Sequence, residues 1–217
     1  ETPLALERTS EIQLRLQPED GGGFRRFEIH SRPLEDGAPW VRCGSGALER
    51  GGASTATGPA FELPGDVEPV DPESLRQAAA EAGLDYGPAF RGMVRAWRGR
   101  GEAWSEAVLP EVAGDPGGYV AHPALLDAAL HAVGLAFPGT SGTWLPFGLD
   151  RMRIALPVGR TLRARIAAEG SSDGGRRVSV RFWGESGEFA GEIEGLSSRP
   201  LEAARGGASV ARLDWLH

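Results

Sequence analysis

An aspartate and a histidine four residues apart, Asp127 and His131, close the run His122-Pro-Ala-Leu-Leu-Asp-Ala-Ala-Leu-His131. Residues i and i+4 share one helix face, a turn apart. The pair therefore sets a carboxyl, able to give or take a proton, beside an imidazole able to orient it. The neighbouring Leu125, Leu126, Ala129, Leu130 and Val133 are apolar. A carboxyl desolvated on such a helix has its pKa raised towards the working range of a general acid. The same spacing also describes an ordinary helix-surface couple worth about 0.2–0.5 kcal/mol. A metal reading of His122, Asp127 and His131 fits no common zinc spacing.

The elements that must position this pair can be read from periodicity. Glu11 to Leu16 alternates polar and apolar residues, as does Val178 to Phe182, the pattern of half-buried strands. With Phe24–Ser31 and Trp40–Leu48, the first of these makes a short antiparallel meander. Asp71-Pro-Glu-Ser starts a helix, with Asp71 as its cap and Pro72 in the first turn, and Gly83 stops it. Strands are expected near 91–98 and 102–109. The Asp127 helix should run from His122-Pro123 to about Phe137-Pro138-Gly139, followed by strands near 145–155, 160–168, 175–183 and 187–198. The second part thus reads as one central helix against several antiparallel strands, an α+β architecture.

Composition narrows the function classes. The chain has 217 residues and a net charge of -7, which argues against a nucleic-acid surface. No apolar run approaches the roughly 20 residues of a membrane span, and the N-terminus lacks signal-peptide regions. Cys43 is the single cysteine, so no intrachain disulfide exists and a cytoplasmic setting fits. All 23 basic residues are arginine, with no lysine and no asparagine, a bias pointing to a GC-rich bacterial genome.

Three motifs together resemble the dehydratase domain of modular type I polyketide synthases. Tyr86-Gly-Pro-Ala-Phe90 followed by Arg91-Gly-Met93 is similar to the family's YGPxF segment. His122 to His131 is similar to its HPxLLDxxxQ/H segment, and Leu145-Pro-Phe147 to its later LPF strand entry. Ala211-Arg-Leu-Asp-Trp215 resembles the linker into a following reductase region. The resemblance implies a double hot-dog fold, each half an antiparallel sheet wrapped on a central helix, with the first half incomplete here. It divides the chain into the remainder of the N-terminal hot-dog (1–49), an inter-hot-dog linker (50–70), the C-terminal hot-dog (71–199) and a linker towards the reductase region (200–217).

The implied activity is a hydro-lyase of antibiotic-type secondary metabolism within a multifunctional synthase. It converts a 3-hydroxyacyl thioester on an acyl carrier protein to a 2-enoyl thioester. By the same resemblance Asp127 is the acid and His131 its support, and Tyr86, Pro88, Phe90 and Phe147 line the substrate path. Tyr86 reads equally well as a turn tyrosine beside Gly87-Pro88, and the other three read as core or tunnel wall rather than chemistry. No metal and no organic cofactor is implied, the substrate arriving on the phosphopantetheine arm of the carrier. The implied partners are that carrier and the neighbouring synthase domains; a homodimer stays open, and neither nucleic acid nor membrane is implied. The family's second catalytic group, a histidine in HxxxGxxxxP, matches none of His30, His122, His131 and His217. It is expected roughly 40–80 residues upstream of Glu1 in the parent polypeptide, the span of one helix and its strands. Its absence from the chain supports a rival reading as a degenerate scaffold or docking module; a relative that cyclises or isomerises, using the same acid–base pair, is the other rival.

Among the remaining residues, His122 is expected to begin the helix and His30 to have no catalytic role. Cys43 is expected to be a small apolar filler, and Trp97, Trp104, Trp144 and Trp183 core or interface aromatics.

Overall fold

The computed structural model describes residues 10–35, 37–49, 58–139, 144–155, 157–172, 175–200 and 211–213. The chain divides into two compact units, Glu1–Ser54 and Thr55–His217.

The first unit is the expected meander. Strands β1 (Ser10–Leu16), β2 (Phe24–Pro33) and β3 (Val41–Glu49) form an antiparallel sheet in that order. Leu16 pairs with Phe27 and Leu14 with Ile29, so the apolar positions of β1 and β2 share one face. Cys43 is half-buried, its Sγ 2.9 Å from the Ser31 hydroxyl, so it makes a polar contact where an apolar filler was expected.

The second unit opens with β4 (Glu68–Val70), then α1 (Pro72–Glu81), β5 (Leu84–Tyr86), β6 (Met93–Arg98) and β7 (Glu102–Val108). It continues through α2 (Pro123–Leu130), β8 (Trp144–Gly148), β9 (Arg151–Ile154), β10 (Thr161–Ser172), β11 (Gly175–Trp183), β12 (Phe189–Pro200) and β13 (Ala211–Leu213). The main sheet is antiparallel, ordered β4-β6-β7-β10-β11-β12-β8, with β9 also on β12. The Asp71 carboxylate accepts from the Glu73 N–H at 3.0 Å, and Gly83 follows α1 with φ +92°, so cap and stop act as the sequence predicts.

The core lies between α2 and one face of this sheet. On the helix side stand Ala124, Leu125, Ala128, Ala129 and Ala132, all fully buried. Opposite them are Ala96, Ala103, Ala107, Leu162, Ala164, Ile166, Val180 and Phe182. Alanines on both surfaces let helix and sheet approach closely.

Four sequence expectations change. Residues 145–155 are two strands, because the chain turns at Leu149-Asp150 and β8 and β9 pair separately along β12. The stretch given to the linker is joined to the second unit from residue 58 onward: β4 pairs with β6, and the Trp183 indole N–H donates to the Pro59 carbonyl at 2.7 Å. The Phe61 ring packs edge-on against Trp183, centroids 5.3 Å apart, which covers part of the sheet face turned away from α2; residues 50–57 lie outside the described residues. Within the C-terminal linker, Ala211–Leu213 pairs in parallel with β5, and 201–210 and 214–217 lie outside the described residues. Finally, α2 keeps α-geometry only to Leu130, and residues 131–136 continue as a 3₁₀ helix.

Candidate active site

Helix α2 is held at its start by His122. The imidazole is 1% exposed, and its Nδ1 accepts from the Ala124 N–H at 3.2 Å, occupying the N-cap position ahead of Pro123. A backbone hydrogen bond joins the same ring to Ala113, and Tyr119 stands edge-on to it at 4.7 Å. Burial holds the His122 pKa below its ordinary value, the Ala113 bond opposes this, and the Arg160 charge adds to the lowering. The ring is thus a structural cap.

At the other end of the helix, the His131 Nε2 and the Asp127 Oδ2 are 2.9 Å apart. This bond serves both protonation states: Nε2–H donates to a carboxylate, and a protonated carboxyl donates to Nε2. The His131 side chain is 7% exposed and that of Asp127 is 37% exposed. The desolvation expected from the apolar helix is therefore incomplete, because the carboxyl points off the buried face and only its partner is enclosed.

Tyr86, at the end of β5, lays its ring over His131 with centroids 4.0 Å apart and planes at 36°. Burial first, and the Asp127 charge second, push its phenol well above the usual tyrosine range, so it stays a hydrogen-bond donor at neutral pH. The turn carrying Tyr86 is braced by Arg91, whose Nε donates to the Tyr86 carbonyl at 2.8 Å and whose guanidinium lies 3.7 Å from Asp85. A cleft of about 230 Å³ opens beside Tyr86, between α1 and this turn, with Glu73 and Asp85 balanced by Arg76 and Arg91. Gly92 follows, where a Cβ would fall 2.7 Å from the Val108 carbonyl oxygen and 3.2 Å from the Ala128 Cβ, so only glycine lets this turn meet α2.

The structure thus gathers Asp127, His131 and Tyr86. Pro88 and Phe90 lie in the 3₁₀ turn that follows Tyr86, Pro88 exposed and Phe90 half-buried against the core. Phe147 is not brought to this group. It is 44% exposed on β8, at the far end of the sheet order, with the Arg199 guanidinium 3.5 Å from its ring centroid. Sequence reasoning missed Ser105. It is fully buried on β7, and its hydroxyl donates to the Ala129 carbonyl at 2.7 Å; a polar residue in the middle of an otherwise apolar strand face was the available signal. Among the described residues no group of three or more His, Cys, Asp or Glu side chains is placed to hold a metal ion. No helix among them is long and apolar enough to cross a membrane.

Residues 54–208 match the family described as polyketide synthase dehydratase N-terminal domain. The chain belongs to this family. It is 37% identical over 227 residues to the spectinabilin polyketide synthase system protein NorA' of Streptomyces orinoci, covering 98% of this chain and 6% of that protein. The chain spans between 6% and 12% of the length of the first curated relatives it matches. A solved dehydratase, from work on substrate selection for the borrelidin and fluvirucin polyketide synthases, is 35% identical with a TM-score of 0.71, over 88% of this chain and 67% of that one. The bifunctional dehydratase-cyclase domain in ambruticin biosynthesis is 30% identical with a TM-score of 0.72, over 91% of this chain and 71% of that one. The antiparallel sheet with a central helix is the hot-dog architecture of these dehydratases, as the motifs implied.

Proposed function

We propose that this chain carries the acid half of a dehydratase that removes water from a 3-hydroxyacyl thioester held on an acyl carrier protein. The observation that supports it most is the Asp127–His131 pair: a half-open carboxyl gripped by a nearly buried imidazole, with the Tyr86 phenol at its side. In the reaction a base takes the C2 proton, made acidic by the thioester carbonyl. The C2–H electrons become the C2=C3 bond, the C3–O bond breaks, and Asp127 protonates the departing hydroxide to give water. His131 keeps the carboxyl aimed and donates to it once it has become a carboxylate.

His122 cannot be the base, because it is buried and committed to its cap; the base is the HxxxGxxxxP histidine expected upstream. The chemistry is acid–base throughout and needs no organic cofactor. The carrier's phosphopantetheine arm presents the substrate, and neighbouring domains of a cytoplasmic synthase supply it and take the product. A dehydratase that also cyclises would use the same pair, a reading favoured by the likeness to the ambruticin domain.

The test is Asp127→Asn in the intact domain of the parent polypeptide, assayed with a 3-hydroxyacyl carrier substrate. Water loss should fall by about a hundredfold or more, with an unchanged circular dichroism spectrum. Turnover equal to wild type removes Asp127 from the mechanism. Carrier binding without turnover by the unmodified domain makes it a docking module, and a cyclised acyl chain in the product mixture assigns it to the cyclising variant.

A further inference from the structure

We infer that Ser105 is a positioning residue for this acid, acting through the end of α2. Its hydroxyl is 0% exposed and stands on the sheet face that meets the helix. Across the sheet it is paired with Ala96 on one side and Ala164 on the other, and its strand neighbours on that face are Ala103 and Ala107. The platform is thus small-chained, and α2 lies close enough for the hydroxyl to reach the Ala129 carbonyl at 2.7 Å. A buried hydroxyl without a partner costs about 1–3 kcal/mol, so this bond is what makes a serine tolerable amid alanines.

The bond falls where the helix changes its winding. At His131 the backbone N–H pairs with the Ala128 carbonyl, an i→i−3 bond, where α-geometry would use that of Asp127. From there the chain runs as a 3₁₀ helix to Ala136. In an α-helix the Ala129 carbonyl would accept from the residue four positions on, Val133; here, just before the winding tightens, the Ser105 hydroxyl donates to that oxygen and anchors this turn to β7. A 3₁₀ helix has 3.0 residues per turn against 3.6, so the point of change sets where the His131 ring stands relative to Asp127, four residues back, and to Tyr86. Ser105 touches no substrate; it sets the direction of the imidazole that holds the acid.

This rests on the reading of Asp127 as the acid, and two measurements keep the inferences separate. In the full 217-residue chain, the imidazole resonance of His131 is followed by NMR at one fixed pH. Ser105→Ala should displace it and weaken the nuclear Overhauser contact between the His131 and Tyr86 rings, while Ser105→Thr, which keeps the hydroxyl, should leave both close to wild type. The His122 resonance, at the other end of α2, reports that the helix remains in place. In the intact domain, Ser105→Ala should lower kcat about tenfold with KM unchanged, and the threonine variant should recover most of it. A His131 resonance and ring contact unmoved by Ser105→Ala overturn the inference, as does a loss of kcat that the threonine variant reproduces. Turnover surviving Asp127→Asn would instead sink the dehydratase reading, and the position of the His131 ring would still judge Ser105.

Discussion

At the scale of single residues, His122 ties the Asp127 helix to pH. Its Nδ1 accepts the Ala124 N–H only while that nitrogen is unprotonated, and burial is the largest cause holding its pKa below the ordinary 6.5. The unfolded chain therefore takes up the proton at higher pH than the folded one, and stability must fall as pH drops below about 6.5. Above that pH both states are neutral and the contribution is fully present. Urea unfolding midpoints measured from pH 7.5 to 5 should show the decline. His122→Asn keeps a side-chain acceptor for the cap but does not titrate there, so it should flatten this part of the profile. An equal slope in the variant would assign the dependence to other groups. The carboxylates that stabilise by pairing lose their effect at lower pH than this window, which separates the two causes.

At the scale of elements, the junction between the Tyr86 turn and α2 has no spare room. Gly92 sits where a methyl would press on the Val108 carbonyl and on Ala128, the residue after Asp127. The Val108 N–H also donates to the Gly92 carbonyl at 2.8 Å, so this backbone cannot withdraw without losing that bond. Gly92→Ala should cost about 1–3 kcal/mol, read as a lower urea midpoint at constant slope. Because the strain falls on α2, the His131 resonance should shift as well. A fully stable variant would mean that the helix slides freely over the sheet. The same close packing explains why α2 is built from alanines: larger side chains at Ala128 or Ala132 would separate it from β7 and carry Ser105 out of reach of Ala129.

At the scale of the whole molecule, the core belongs to one unit. Every buried apolar side chain among the described residues lies between Leu84 and Leu196, and Ile12, Leu14 and Leu16 of the first unit are each more than half exposed. Residues Thr55–His217 alone should melt cooperatively, within about 5 °C of the full chain. Glu1–Ser54 alone should show no cooperative transition, because three strands without a buried face are not independently stable. Thermal denaturation followed by circular dichroism decides this, and a non-cooperative melt of Thr55–His217 would refute it. Much of this organisation was legible in the sequence where the signal is local: the Asp71 cap, the Gly83 stop, the period-two strand ending at Trp183, and the i,i+4 spacing of Asp127 and His131. These depend on side chains a few residues apart, and the regular geometry of helix and strand turns such spacing directly into position. What only the tertiary structure decided involves partners far apart in the chain. Tyr86 comes to lie on His131, Ser105 reaches Ala129, residues 58–61 join Trp183, and Phe147 stands on β8 against Arg199. Those contacts depend on sheet register and on how closely the helix seats, quantities set by the packing of the whole core and written in no short stretch of sequence.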